Sequence, residues 1–195
     1  FNSLDGVMVA VENYFMQFKC DGKVYHVADS IKTPFAAVAF FKSDFDTTLA
    51  NVKDYSELAA ILDSILPSGN LFYAFILKGN FSTVKVRSVP KQQKPYPPLV
   101  EVTATQPVFD YSNIEGSLAG YRMPGFVNGI NVPLYHLHFI DKDKIRGGHL
   151  LAFEKFSGSV SIDYKYEFSL KLPDSKEFAK MNLERDKDEI NKVEK

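Results

Sequence analysis

Tryptophan is absent from this chain of 195 residues, and cysteine occurs once, at Cys20. A single cysteine excludes an intrachain disulfide and any cysteine-built metal site. No apolar stretch approaches the ~20 residues that a membrane-spanning helix needs, so no membrane role is expected. Net charge is nearly missing as well, since 23 basic residues face 24 acidic ones. The Lys and Arg residues are scattered rather than gathered in a stripe, so nucleic acid is not expected as a partner. There is no internal repeat at solenoid periods and no low-complexity run.

What is present is an ordinary globular composition, unusually rich in Phe (17) and Tyr (10). The length suffices to bury a core without disulfide staples. The lone cysteine suits the cytoplasm. The first residue is Phe1, not Met, which leaves a removed leader, and therefore secretion, open.

The pattern along the chain is dominated by strands separated by turn residues. Met8 to Lys19, the Asp21-Gly22 turn and Lys23 to Val27 read as a hairpin. Phe35 to Lys42 is a short apolar run of the kind found in buried strands. Asp54 to Leu66 is the clearest helix: Asp54 can cap it and Glu57 completes a capping box. Leu58, Ile61, Leu62, Ile65 and Leu66 share one face, and Pro67 and Gly69 stop it. Leu71 to Lys78 and Thr83 to Val89 read as a strand pair joined at Gly79-Asn80. The proline-rich segment Lys91 to Pro98 is an extended connection and the best boundary between two halves, 1–98 and 99–195, expected to form one compact unit. Val100 to Tyr111, Glu115 to Arg122, Leu134 to Ile140, His149 to Lys155 and Ser159 to Leu172 read as further strands. Asp174 to Lys195 is polar, with Phe178, Met181, Ile190 and Val193 as its inward contacts, and reads as a helix. The fold class predicted is α+β: a strand-dominated, two-part mixed β-sheet fold with one interior helix and a C-terminal helix.

Three of the four histidines fall within fourteen residues. In Tyr135-His136-Leu137-His138-Phe139, alternation along a strand puts His136 and His138 on one face. Their Cα atoms are then about 6.5–7 Å apart, close enough for both rings to reach one ion. A polar loop ending in Gly147-Gly148 returns the chain to His149, which pairing would bring beside His138. Three neutral nitrogen ligands with no fourth protein ligand suit catalytic zinc, although iron, nickel or copper also accept imidazole. Set against this, one His-x-His pair on a strand is often just half-buried and hydrogen-bonded. A cupin-like oxygenase also uses His-x-His, but usually adds a nearby carboxylate and a distant histidine. His26 stands alone after a turn and reads as a surface residue.

The segments Asn131 to Phe139 (NVPLYHLHF) and Gly147 to Phe153 (GGHLLAF) closely resemble the metal-binding signature of α-acetolactate decarboxylases. Phe1 to Gly6, Asp21 to Tyr25, Thr33 to Phe35, Val86 to Pro90, Gln93 to Leu99, Glu115 to Tyr121 and Glu189 to Glu194 extend the likeness over nearly the whole chain. The resemblance implies conversion of 2-acetolactate to acetoin and carbon dioxide, with Zn2+ held by His136, His138 and His149. It implies a small-molecule 2-hydroxy-3-keto acid as substrate, a homodimer, and a place in acetoin and butanediol metabolism. It also implies a helical segment ahead of Phe1. Arg87 matches the family's active-site arginine, whose guanidinium can grip a carboxylate as a fork. Read from the pattern alone, Arg87 is a solvated residue on the polar face of a strand. Glu194 matches a glutamate that returns to the metal site in the family.

The chain also departs from the family. Val7 stands where the family carries an active-site glutamate after Leu-Asp-Gly, and it can neither ligate a metal nor carry a proton. Val11-Glu12-Asn13 replaces a second Leu-Asp-Gly turn, and Ala152 replaces an aspartate. Loss of one proton-transfer group costs ~10²–10⁴-fold in rate. A divergent or inactive relative that binds zinc or a small ligand without efficient turnover is therefore the alternative reading.

Overall fold

In the computed structural model, residues 2–33, 35–97, 101–102 and 106–180 are described. The chain builds a three-stranded sheet from β1 (Val7–Val11), β2 (Tyr14–Phe18) and β3 (Val24–His26). A five-stranded sheet follows from β4 (Phe45–Asp54), β5 (Phe72–Arg87), β6 (Val108–Met123), β7 (Leu134–Asp141) and β8 (Gly147–Lys165), in the order β4-β8-β5-β6-β7. β7 also pairs with the start of β8, so β5, β6, β7 and β8 close into a ring. All these ladders are antiparallel, a narrower arrangement than the mixed sheets expected. The large sheet takes β4 and β5 from residues before 98 and β6 to β8 from residues after it.

The interior of the ring is apolar. Phe81 lies among Phe139, Phe153 and Phe156, with ring centroids 4.9–5.6 Å apart. Val84, Val86, Leu118, Leu137 and Leu150 belong to the same buried cluster. Helix α1 (Tyr55–Ile65) adds Leu58 and Leu62 to it. As the sequence predicts, Asp54 caps α1, accepting the Glu57 N–H at 2.9 Å. The Glu57 carboxylate reaches back to the N–H of Lys53, one residue earlier than in a standard capping box. Asp63 fastens α1 to the sheet by accepting from Arg122 Nε at 2.7 Å and from the Tyr135 hydroxyl at 2.9 Å. A second cluster (Val9, Met16, Phe18, Ala119 and Ile140) joins the small sheet to the outer face of the ring.

Several sequence expectations need correction. Met8 to Lys19 is two strands, turned at Glu12 and Asn13, which both adopt positive φ (53° and 65°) as a tight hairpin requires. Phe35 to Lys42 forms no strand and is largely exposed, with Phe40 98% and Val38 80% accessible. Gly79-Asn80 is no turn, because β5 runs unbroken through it for 16 residues. Glycine is needed there for close approach: a Cβ on Gly79 would stand 2.2 Å from the Ser157 carbonyl oxygen. The Val100 to Tyr111 and Glu115 to Arg122 segments meet in one strand that starts at Val108. The His149 to Lys155 and Ser159 to Leu172 segments likewise fuse in β8, which ends at Lys165. Of the C-terminal helix, Lys176–Ala179 is described. Met181, Glu189, Ile190, Val193 and Glu194 lie outside the described residues.

Candidate metal centre

Alternation along β7 sends Leu137 and Phe139 into the ring and leaves His136 and His138 on its outer face. β8 needs an extra device to match them. Its register against β5 runs Lys85↔Ala152, then Val86↔Leu150 and Arg87↔His149, so Leu151 is an extra residue, a β-bulge. The bulge changes the side-chain parity. Phe153 and Leu150 can both enter the core, and His149 turns outward, level with His138, its register partner.

The three imidazoles converge. Each offers a ring nitrogen, and the three atoms all lie within 4.8 Å of one another. His149 Nδ1 is 3.2 Å from His136 Nε2. Two ligands at 2.0–2.1 Å on a tetrahedral ion are about 3.3–3.4 Å apart, so this separation matches one edge of such a shell. His149 is buried, and His136 and His138 are half-buried. Burial, reinforced by the neighbouring His136 and Arg87 charges, pushes His138 well below the ordinary imidazole range. Burial together with His138, His136 and Arg87 does the same for His149. Both rings are therefore held in the neutral form that a metal ligand requires. The donor set fits a metal ion.

Arg87 is buried, not the solvated strand residue that its pattern suggests. It ends β5 directly opposite His149, on the face away from Val84 and Val86. From that position its positive charge adds to the lowering of the His138 and His149 imidazoles. Val7 lies nearby. Gly6 N–H donates to the Val89 carbonyl at 3.0 Å, and the Ser88 hydroxyl donates to the Phe18 carbonyl at 2.6 Å, Phe18 being the register partner of Val7. Val7 packs against the Ala119 and Ile140 cluster. Ala152, beyond the bulge, is exposed opposite Lys85. His26 is exposed on β3, as expected.

One member of this face escaped the sequence reading. Tyr121 is the cross-strand partner of His136, and its hydroxyl donates to the Ala37 carbonyl at 3.4 Å. Burial raises its phenol above the ordinary range. The available signal was its odd spacing from core residue Leu118, which assigns Tyr121 to the opposite face of β6.

The comparisons with known proteins agree with this architecture. An alpha-acetolactate decarboxylase of Methylococcus capsulatus is 42% identical over 189 residues, covering 97% of this chain and 73% of its own length. One from Methanosarcina mazei is 43% identical, covering 100% of this chain and 68% of its own. The crystal structure of alpha-acetolactate decarboxylase from Bacillus subtilis strain 168 superposes with a TM-score of 0.96 at 35% identity, over 100% of this chain and 84% of that one. Fold, site and relatives together define a carboxy-lyase. A family model described as alpha-acetolactate decarboxylase matches residues 1–185, and the chain belongs to that family.

Proposed function

We propose that this protein decarboxylates 2-acetolactate to acetoin and carbon dioxide, using zinc held by His136, His138 and His149. The observation that carries the reading is the convergence of three nitrogen ligands from adjoining strands, beside a buried arginine, in a chain of this family. Loss of carbon dioxide from a 2-hydroxy-3-keto acid leaves electrons on an enediolate. Zinc would supply Lewis acidity toward that developing charge. Arg87 grips the substrate carboxylate and orients it, remaining charged at any working pH. The proton returned to carbon is assigned to Glu194, by family likeness alone. Because Arg87 precedes residue 98 and the imidazoles follow it, the two halves act as one unit.

The assembly proposed is a homodimer, supported by large apolar side chains left in water: Phe40 (98% accessible), Phe126 (68%) and Tyr166 (75%). A cytoplasmic setting is proposed from the single cysteine. Among the described residues no helix is long and apolar enough to cross a membrane.

Val7 favours a second reading, in which the chain binds zinc without efficient turnover, because an apolar side chain sits where the family keeps a carboxylate. Acetoin release from racemic acetolactate, with and without a chelator, tests the first reading, with metal analysis alongside. Zinc with chelator-sensitive acetoin supports it, and zinc without acetoin supports the second. Val7→Glu is expected to raise the rate; no increase would show that the missing carboxylate is not the limiting loss.

A further inference from the structure

We infer that Asp141 is a positioning residue for the metal centre: its buried carboxylate clips the β7–β8 loop so that His149 stands opposite His138. This rests on the reading above for the role of the imidazoles and concerns what holds them in register.

The ladder between β7 and the start of β8 has three register pairs: Ile140↔Gly147, Phe139↔Gly148 and His138↔His149. Cross-strand side-chain pairs are what usually fix register, and two of these three pairs contain glycine. Neither glycine has room for a side chain. A Cβ on Gly147 would lie 2.3 Å from the Phe139 carbonyl oxygen and 2.3 Å from the Phe18 ring. One on Gly148, whose φ is +150°, would lie 2.6 Å from the Arg87 carbonyl oxygen. Yet a slip of one residue would turn His149 to the other face of the sheet. The β5–β8 and β6–β7 ladders hold each strand from its far side, but the β5–β8 register itself shifts between Lys85 and Val86, so something at the loop end must hold the turn that carries His149.

Asp141 is placed to do so. It is 2% exposed. Its Oδ1 accepts the backbone N–H groups of Ile145 and Arg146, each at 2.8 Å, and its Oδ2 accepts Arg146 Nε at 3.0 Å. Its own N–H donates to the Arg146 carbonyl at 3.0 Å, and its carbonyl accepts the Lys144 N–H at 3.0 Å. Hydrogen bonds to an ionised carboxylate are about twice as strong as neutral ones. The loop is also fixed from outside: Lys142 N–H donates to the Glu115 carbonyl at 3.0 Å, and the Arg146 guanidinium lies 5.6 Å from the Tyr111 ring centroid. Asp141 follows His138 by three residues and Arg146 precedes His149 by three. Closing the loop on one carboxylate therefore sets the two ligands level.

The test compares Co2+ binding by the unaltered chain, Asp141→Ala, Asp141→Asn and Arg146→Ala, using chelator competition for affinity and the visible Co2+ absorption for geometry. Asp141→Ala should lose about tenfold or more in affinity, with a changed spectrum. Asp141→Asn keeps an oxygen for the two backbone donors and should recover most of both. Arg146→Ala removes one donor from a partly exposed side chain and should weaken binding by about threefold. Thermal unfolding of the metal-free proteins runs beside these. A merely structural Asp141 would lower Tm and leave the folded protein's affinity and spectrum unchanged, and that result in Asp141→Ala overturns the inference. If Asp141→Ala does not fold, unchanged affinity in Arg146→Ala overturns it instead. An unaltered chain that binds Co2+ and, when loaded with zinc, makes no acetoin ends the decarboxylase reading and leaves this one standing.

Discussion

At the candidate metal centre burial makes the charged forms of the His138 and His149 imidazoles costly and favours the neutral ones. In the unfolded chain both take up protons below about pH 6.5. Their folded pKa values lie below the unfolded value, so their contribution is intact above about pH 6.5 and is lost as pH falls. Metal-free protein should therefore lose stability progressively as pH falls below about 6.5, with a slope that approaches the uptake of two protons on unfolding. Urea midpoints measured across that window check this, and a midpoint independent of pH would contradict it. Arg87 gives a second prediction at the same scale. Arg87→Lys keeps the charge and loses the planar fork. Acetoin kcat/KM should fall about 10–100-fold, the cost of a charge-assisted hydrogen bond, while bound metal stays constant. A parallel loss of metal would reassign Arg87 to holding the site together.

The elements differ in how plainly the sequence announces them. Helix α1 is legible because its signals are local: an Asp cap, a helical row of Leu and Ile, and a Pro stop. The His-x-His face is legible because strand alternation is a rule of two. What stays hidden depends on partners distant in sequence. Gly79-Asn80 looks like a turn because glycine has two uses, bending a chain and letting two strands touch, and only the position of Ser157 tells them apart. Gly79→Ala should destabilise the protein by about 2–3 kcal/mol through overpacking, measured by thermal or urea denaturation; an unchanged midpoint would show that the strands can part there without cost. The Leu151 bulge is invisible for a similar reason, since an extra residue exists only relative to a neighbouring strand. Phe35 to Lys42 misleads because apolar character predicts burial without saying against what. Its backbone is held by polar contacts instead, with Lys42 N–H donating to Asp163 at 2.8 Å and Lys165 Nζ to the Phe40 carbonyl at 2.8 Å.

For the molecule as a whole, the outstanding feature is apolar surface in water on that same segment, with Phe35, Val38 and Phe40 all more than half accessible. Scattered exposed hydrophobics are ordinary, but a run of them marks a contact surface. Phe40→Glu should shift the proposed dimer toward monomer in sedimentation velocity, with little change in the thermal stability of the monomeric unit. A species of unchanged mass would remove this segment from the interface.

The closed ring of β5 to β8 also implies an order of assembly. His149 and His136 are thirteen residues apart, so bringing the ligands together costs little loop-closure entropy. Arg87 comes from much earlier in the chain and joins them only when β5 has docked along β8, a slower, non-local event. On the proposed reading, a refolding chain thus acquires the capacity to capture a cation before it can seize an anionic substrate.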